Sequence, residues 1–223
     1  MGLVIGGIDE AGRGAALGPL VLAIALVEKE DEEKLVSLGV TDSKLLLPAK
    51  RERLFHELPS ILVEHAVFSI EPAEIDALMA KESLNEIEAM VCARLLNGLA
   101  AKPDLVILDS PDGDAKRFAS RVKNYLSKSF VLRSEHKADL NHRVVGAASI
   151  LAKVTRDRAI MELSKKWGEM GSGYPSDPRT MLFLKQWLER EGSLPVFARA
   201  KWASNIALIN RKNQSLLGDF DGR

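Results

Sequence analysis

Short apolar runs alternate with stretches of helical period along most of the chain. Leu3-Val4-Ile5-Gly6-Gly7-Ile8 is long enough for one buried strand and stops at two adjacent carboxylates, Asp9 and Glu10. Leu20 to Val27 predicts a second strand, and a helical pattern from Asp31 to Leu38 breaks at Gly39. A helical region from Pro48 to Leu58 precedes Ile61 to Ser69, β-branched and apolar enough for a third strand, and a short helix follows Pro72. Ser83-Leu84-Asn85-Glu86 matches a capping box and opens a helix to about Ala100. Leu105-Val106-Ile107-Leu108 repeats the opening design, a fully apolar run that ends in Asp109. A basic helix comes next, then Phe130-Val131-Leu132 as the fifth strand. His142 to Met170 reads as a long helix with small residues at Gly146-Ala147-Ala148-Ser149 for close packing, followed by helices over Arg179 to Glu191 and about Lys201 to Asn210. Beyond Arg211 the pattern fades into a polar tail.

A chain of 223 residues, 46% hydrophobic and 28% charged, can bury a full core without help from metals or disulfides. Charge interrupts every apolar run well before the ~18 residues that span a bilayer, so a cytoplasmic monomer without membrane contact is expected. Cys92 is the single cysteine and sits among apolar neighbours in a helical pattern, which suits a packed thiol rather than a ligand or nucleophile. With 31 basic and 31 acidic side chains, a nucleic-acid partner has to be held by a local patch rather than by net charge. Lys116, Arg117, Arg121, Lys123, Lys128, Arg133 and Lys137 supply such a patch, although a run of this kind equally makes a solvated helix face.

The candidate chemistry follows the strands. Asp9 with Glu10, Asp109, and Asp139 each stand at or just past the end of a strand-like run, and strands lying parallel in one sheet bring such ends to one edge. Carboxylates gathered there repel one another unless cations are present, and an oxygen-only donor set selects Mg²⁺ or Mn²⁺. Two such ions ~4 Å apart are a device for in-line attack on a phosphodiester. Directly after the first acid pair, Gly12-Arg13-Gly14 combines a backbone free to approach a ligand with a permanently charged fork. Thr41-Asp42-Ser43-Lys44 suits a phosphate contact or, equally, the cap of the Pro48 helix. His136 and His142 flank Asp139 and read best as satisfied structural histidines. No Walker-type phosphate loop is present, which excludes a P-loop phosphotransferase.

These pieces, taken in order, closely resemble type 2 ribonuclease H (ribonuclease HII), its archaeal form in particular. The resemblance rests on Gly7-Ile8-Asp9-Glu10-Ala11-Gly12-Arg13-Gly14, Thr41-Asp42-Ser43-Lys44, Leu108-Asp109-Ser110, Glu135-His136-Lys137-Ala138-Asp139, Ala147-Ala148-Ser149-Ile150-Leu151-Ala152-Lys153 and Gly171-Ser172-Gly173-Tyr174-Pro175-Ser176-Asp177. It implies an α/β fold: a ribonuclease H-like mixed five-stranded sheet flanked by helices, its first three strands antiparallel, with a smaller helical C-terminal part. The expected division is a catalytic domain over 1–170, a helical region over the substrate cleft at 171–210 and a tail at 211–223.

The same resemblance makes Asp9, Glu10, Asp109 and Asp139 the metal ligands and catalytic acids. It implies that Gly12, Arg13 and Gly14 read the 2′-hydroxyl of the ribonucleotide at an RNA to DNA junction. Tyr174 stacks on the sugar just 3′ of it, and Ser43 and Lys44 contact phosphate. The implied reaction is hydrolysis of the RNA strand of RNA/DNA hybrids and cutting 5′ of a ribonucleotide embedded in duplex DNA, leaving 3′-hydroxyl and 5′-phosphate ends. A non-catalytic hybrid-binding or scaffold module on the same fold is the rival reading. Ala15 departs from the family, which usually has proline after the Gly-Arg-Gly loop. In the tail, Gln214, Leu217 and Phe220 resemble the box by which replication proteins bind the sliding clamp (PCNA), with Asp221 where a second aromatic is usual.

Overall fold

The computed structural model describes residues 2–218, with side chains described through residue 214. In chain order the elements are β1 (Val4–Ala11), β2 (Leu20–Glu28), α1 (Glu32–Leu38), α2 (Pro48–Glu57), β3 (Glu64–Ile70), α3 (Pro72–Leu78), α4 (Leu84–Asn97), β4 (Leu105–Asp109), α5 (Ala115–Lys123), β5 (Leu132–Glu135), α6 (Ala138–Asn141), α7 (Arg143–Trp167), α8 (Pro178–Glu191) and α9 (Ala203–Gly218). The strands form one mixed sheet in the order β3-β2-β1-β4-β5, the fold the sequence led us to expect. β1 and β2 pair antiparallel, with Asp9 opposite Ala23, while β1–β4 and β4–β5 are parallel.

The chain divides into two compact units that interleave in sequence. One takes Met1–Ala11, Val21–Ser69 and Glu82–Thr155, and the other Gly12–Leu20, Ile70–Lys81 and Arg156–Arg223. The first holds the sheet and a core in which Val21, Ala23, Ala25 and Val27 pack with Val144, Ala148 and Leu151 of α7. One glycine in β1, Gly7, explains how α7 reaches the sheet. A Cβ at Gly7 would lie 2.5 Å from the backbone N of Val145 and 2.6 Å from the carbonyl carbon of Val144, so only glycine lets that helix end lie on the strand. The second unit is built on Leu17, Ile160, Met170 and Leu184, with Trp167, Phe183, Trp187 and Phe197 in mutual ring contact.

Three local expectations change. The fifth strand is Leu132–Glu135 rather than Phe130–Leu132, since its central Arg133 is exposed and an edge strand need bury only part of its length. The capping box is half formed: Ser83 Oγ accepts from the Glu86 N–H at 3.3 Å, but the Glu86 carboxylate is drawn to Arg121 and to the Tyr125 hydroxyl instead of back to the cap. The last helix continues past Arg211 to Gly218. Leu217 and Phe220 of the clamp-box expectation lie outside the described side chains.

Candidate metal centre and substrate loops

The acid cluster is a consequence of strand register. Ile8 and Leu108 face each other across the parallel β1–β4 ladder, and one residue further come Asp9 and Asp109; Asp109 in turn is opposite Glu135 on β5. Carboxylate oxygens of Asp9, Glu10 and Asp109 lie within 4.8 Å of one another, the group of at least three potential metal-ligating side chains found among the described residues. Asp9 is buried, and its Oδ1 accepts the Glu10 N–H at 2.7 Å while Oδ2 has no hydrogen-bond partner. Burial first, and then the charges of Glu10 and Asp109, push the Asp9 carboxyl well above the usual carboxylate range. Burial also raises Asp109, against the Ala138 N–H that donates to its Oδ1 at 2.7 Å. An unpartnered buried oxygen beside two more carboxylates is a donor set that a divalent cation satisfies, and without one the raised Asp9 value favours a proton in its place.

Asp139 stands outside that 4.8 Å group. It is buried at the start of α6, entered through Lys137 in the left-handed region (φ 56°), and its Oδ2 lies 3.8 Å from Lys44 Nζ. Burial and the charge of Asp42 raise its carboxyl, and its own charge raises Asp109, so it is electrostatically part of the site. Residual desolvation works against the Lys44 ammonium, but Asp42, Asp9, Asp139 and Glu10 outweigh it and hold it above its ordinary value. The side chain of Lys44 is about three-quarters exposed, at 74%, which leaves the cation available to a phosphate.

Asp42 does cap a helix, though not the Pro48 one: its Oδ1 accepts the Lys44 N–H at 2.8 Å and starts a single 3₁₀ turn over Ser43–Leu45. Ser43 is buried with its Oγ 2.9 Å from Ser149 Oγ, so its hydroxyl faces α7. Ser149 was legible only as one of a run of small residues. His142 Nε2 lies 3.1 Å from Glu135 Oε2, the structural partner expected of it, and burial raises the Cys92 thiol far from reactivity.

The Gly12–Leu20 segment belongs to the other unit, and up to Pro19 it lies outside the helices and named strands. Gly12 has φ 92° and Gly18 φ 77°, and the Ala15 N–H donates to Gly12 O at 3.2 Å, a turn bond that the usual proline could not make. The N–H groups of Ala16 and Leu17 donate to Gly173 O at 2.8 and 3.1 Å, tying this segment to the loop that carries Tyr174. Arg199 Nε and Nη1 donate to Gly18 O and Arg13 O, each at 3.1 Å, and Asn205 Nδ2 to Ala16 O at 3.0 Å. Arg156, Arg199 and Asn205 were not singled out by sequence, because a cation or amide in a helix or loop looks the same whether it is solvated or buried.

Parallel strands that deliver acids to one sheet edge, with a lysine beside them, define a metal-dependent nuclease of the ribonuclease H type. The family model described as Ribonuclease HII matches residues 6–205. Ribonuclease HII of Pyrococcus horikoshii is 45% identical over 218 residues, covering 97% of this chain and 98% of that protein. The crystal structure of ribonuclease H2 from the same organism superposes with a TM-score of 0.88 at 43% identity, over 95% of this chain and 100% of that one. The ribonuclease HII in a PCNA complex from Archaeoglobus fulgidus gives 0.82 at 40% identity, over 90% and 95%. The chain belongs to the ribonuclease HII family.

Proposed function

We propose that this ribonuclease H hydrolyses the RNA strand of RNA/DNA hybrids and cuts on the 5′ side of a ribonucleotide embedded in duplex DNA, releasing 3′-hydroxyl and 5′-phosphate ends. The observation that carries the reading is the cluster of Asp9, Glu10 and Asp109, with Asp9 Oδ2 buried and unpartnered. Asp9, Glu10 and Asp109 would hold a divalent cation, Mg²⁺ or Mn²⁺, with Asp139 as the fourth acid of the set. When bound there, a divalent cation would offset the charge that builds up on the phosphate and lower the pKa of the attacking water. The chain's own residues do the positioning. The Ala138 N–H fixes one oxygen of Asp109 and so orients the other, and the Glu10 N–H does the same for Asp9. Lys44 places an exposed ammonium beside Asp139 for the substrate phosphate. Backbone groups of Gly12 and Gly14 address a 2′-hydroxyl, which both donates and accepts, while Arg13 contacts the adjoining phosphate and Tyr174 stacks on the next sugar. All of this suits a cytoplasmic enzyme; no helix among the described residues is long and apolar enough to cross a membrane.

The test is incubation with a duplex carrying one ribonucleotide, with Mg²⁺, with Mn²⁺ and with chelator. A single cut 5′ of the ribonucleotide in either metal and none with chelator is the expected result; an uncut duplex in both metals favours the scaffold reading.

We further propose that Gln214, Leu217 and Phe220 form a sliding-clamp box, supported by the PCNA complex of the Archaeoglobus relative. With Asp221 in place of the second aromatic, less apolar area is available and the affinity is modest. Removing residues from 214 onward abolishes stimulation by the clamp and leaves the basal rate unchanged; a fall in basal rate or melting temperature would instead make the tail part of the fold.

A further inference from the structure

Arg156 of α7 is fully buried, and its ion pair with Asp157 is a long one. Its Nη2 donates to Ser172 O at 3.2 Å and, more weakly, to Leu17 O at 3.4 Å. Its guanidinium carbon lies 4.3 Å from the centre of the Tyr174 ring. A Cβ at Gly12 would come within 2.5 Å of Nε, and one at Gly173 within 2.8 Å of Nη2; both glycines have positive φ, 92° and 80°. One planar cation therefore touches the Gly12–Leu17 backbone and the Ser172–Tyr174 loop together, all within one compact unit. Nε and Nη1 make no hydrogen bond, and the nearest carboxylate oxygen, on Asp157, is 3.8 Å from Nη1. Taking a guanidinium out of water with so little return carries a desolvation penalty that Leu or Met at this helix position would avoid. The stack and the paired carbonyls are what an apolar side chain could not supply.

We propose that Arg156 is a positioning residue for ribonucleotide recognition, its buried guanidinium holding the Gly12 backbone and the Tyr174 ring at one spacing. This rests on the roles proposed above for the Gly-Arg-Gly loop and Tyr174. A duplex with one ribonucleotide offers a single 2′-hydroxyl, so the loop that reads it and the ring on the next sugar have to be in register at the same time. A 1 Å drift between them is worth about 100-fold in rate. A uniform RNA/DNA hybrid offers a 2′-hydroxyl in every register and is less sensitive to that spacing.

The experiment uses Arg156→Lys and Arg156→Met, alone and combined with Tyr174→Ala, in the full chain. Melting temperature is measured together with kcat/KM on a one-ribonucleotide duplex and on a uniform hybrid. Arg156→Met is expected to lower kcat/KM on the first substrate about 100-fold and on the second less than about tenfold, with Arg156→Lys between it and wild type. In the Tyr174→Ala background the further loss from Arg156→Met shrinks to under about threefold, because the ring it positions is gone. Equal losses on the two substrates, or losses that simply multiply with that of Tyr174→Ala, overturn the proposal. If Arg156→Met does not fold, Arg156→Lys carries the same comparisons; if neither folds, Arg156 serves folding and the proposal falls. Wild-type protein that cuts neither substrate overturns the functional reading itself, and that result is seen before any variant is made.

Discussion

Gly7 and Gly14 are both glycines near the acid pair, and they answer to different constraints. At Gly7 the neighbours of an added methyl group are backbone atoms of Val144 and Val145, which cannot swing aside. Gly7→Ala is therefore expected to cost about 1–3 kcal/mol by overpacking and to push the start of α7 off the sheet, lowering cleavage as well. At Gly14 a Cβ meets nothing within 4 Å. Gly14→Ala should leave stability within about 0.5 kcal/mol of wild type and, if this loop reads the 2′-hydroxyl as proposed, still impair cutting at a single ribonucleotide. Denaturant unfolding and kcat/KM on both variants separate the two; a Gly14→Ala enzyme with full activity would remove the loop from 2′-hydroxyl reading. The carboxylates at 9, 10, 109 and 139 were legible in the sequence because nothing in the hydrophobic pattern requires an acid there. Ser149 and Arg156 were not, because their burial is decided by residues more than a hundred positions away.

At the scale of elements, the helix N-terminus at Ser83 shows where local rules give way to tertiary contacts. Glu86 has the identity and spacing of a capping-box partner, yet it ties α4 to α5, its Oε1 2.6 Å from the Tyr125 hydroxyl and its Oε2 paired with Arg121, which also donates to Asp112 Oδ2 at 3.2 Å. The Tyr125 hydrogen bond first, and Arg121 next, hold the Glu86 carboxyl below the usual range, while the bond to Glu86 pushes Tyr125 up to about 12. A carboxyl lowered in the folded state stabilises above its unfolded value and loses that contribution as pH falls through the folded one. A phenol raised in the folded state stabilises below its unfolded value, about 10, and loses that contribution as pH rises toward 12. Glu86→Gln should therefore melt below wild type at pH 7, with the gap closing below about pH 4.5 and again above about pH 10. A gap that stays constant across this range would mean the carboxylate contributes nothing through its charge. The same competition explains β5: apolar Phe130 and Val131 look like the strand, but the ladder to β4 begins at Leu132 and runs through the polar residues after it. Helix α9 was cut short because Arg211-Lys212-Asn213-Gln214-Ser215 offers no apolar periodicity to read.

For the molecule as a whole, the strands and the edge that carries the acids are marked by apolar runs that end in carboxylates, and the mixed sheet by the resemblance to ribonuclease HII, but the two compact units are marked by neither. They interleave three chain segments each, and no change of composition along the sequence marks where one gives way to the other. What the whole molecule does register is the energetic conflict at its centre. Burial and the charges of Glu10 and Asp109 raise the Asp9 carboxyl, and burial and the charge of Asp139 raise that of Asp109, so the metal-free protein carries a repulsion that a bound cation would relieve. Adding Mg²⁺ or Mn²⁺ to chelator-treated enzyme should raise its melting temperature, by an amount equivalent to about 2.7 kcal/mol when the ion is at 100 times its dissociation constant. Asp109→Asn keeps an oxygen for the Ala138 N–H while removing one of the charges. The variant should melt above wild type without metal, respond less to added metal, and lose cleavage while binding hybrid within a few-fold of wild type. Scanning calorimetry with and without each ion tests this independently of activity. An Asp109→Asn protein that gains as much from metal as wild type would place the ion elsewhere, because the cation's advantage in this cluster is the repulsion it cancels.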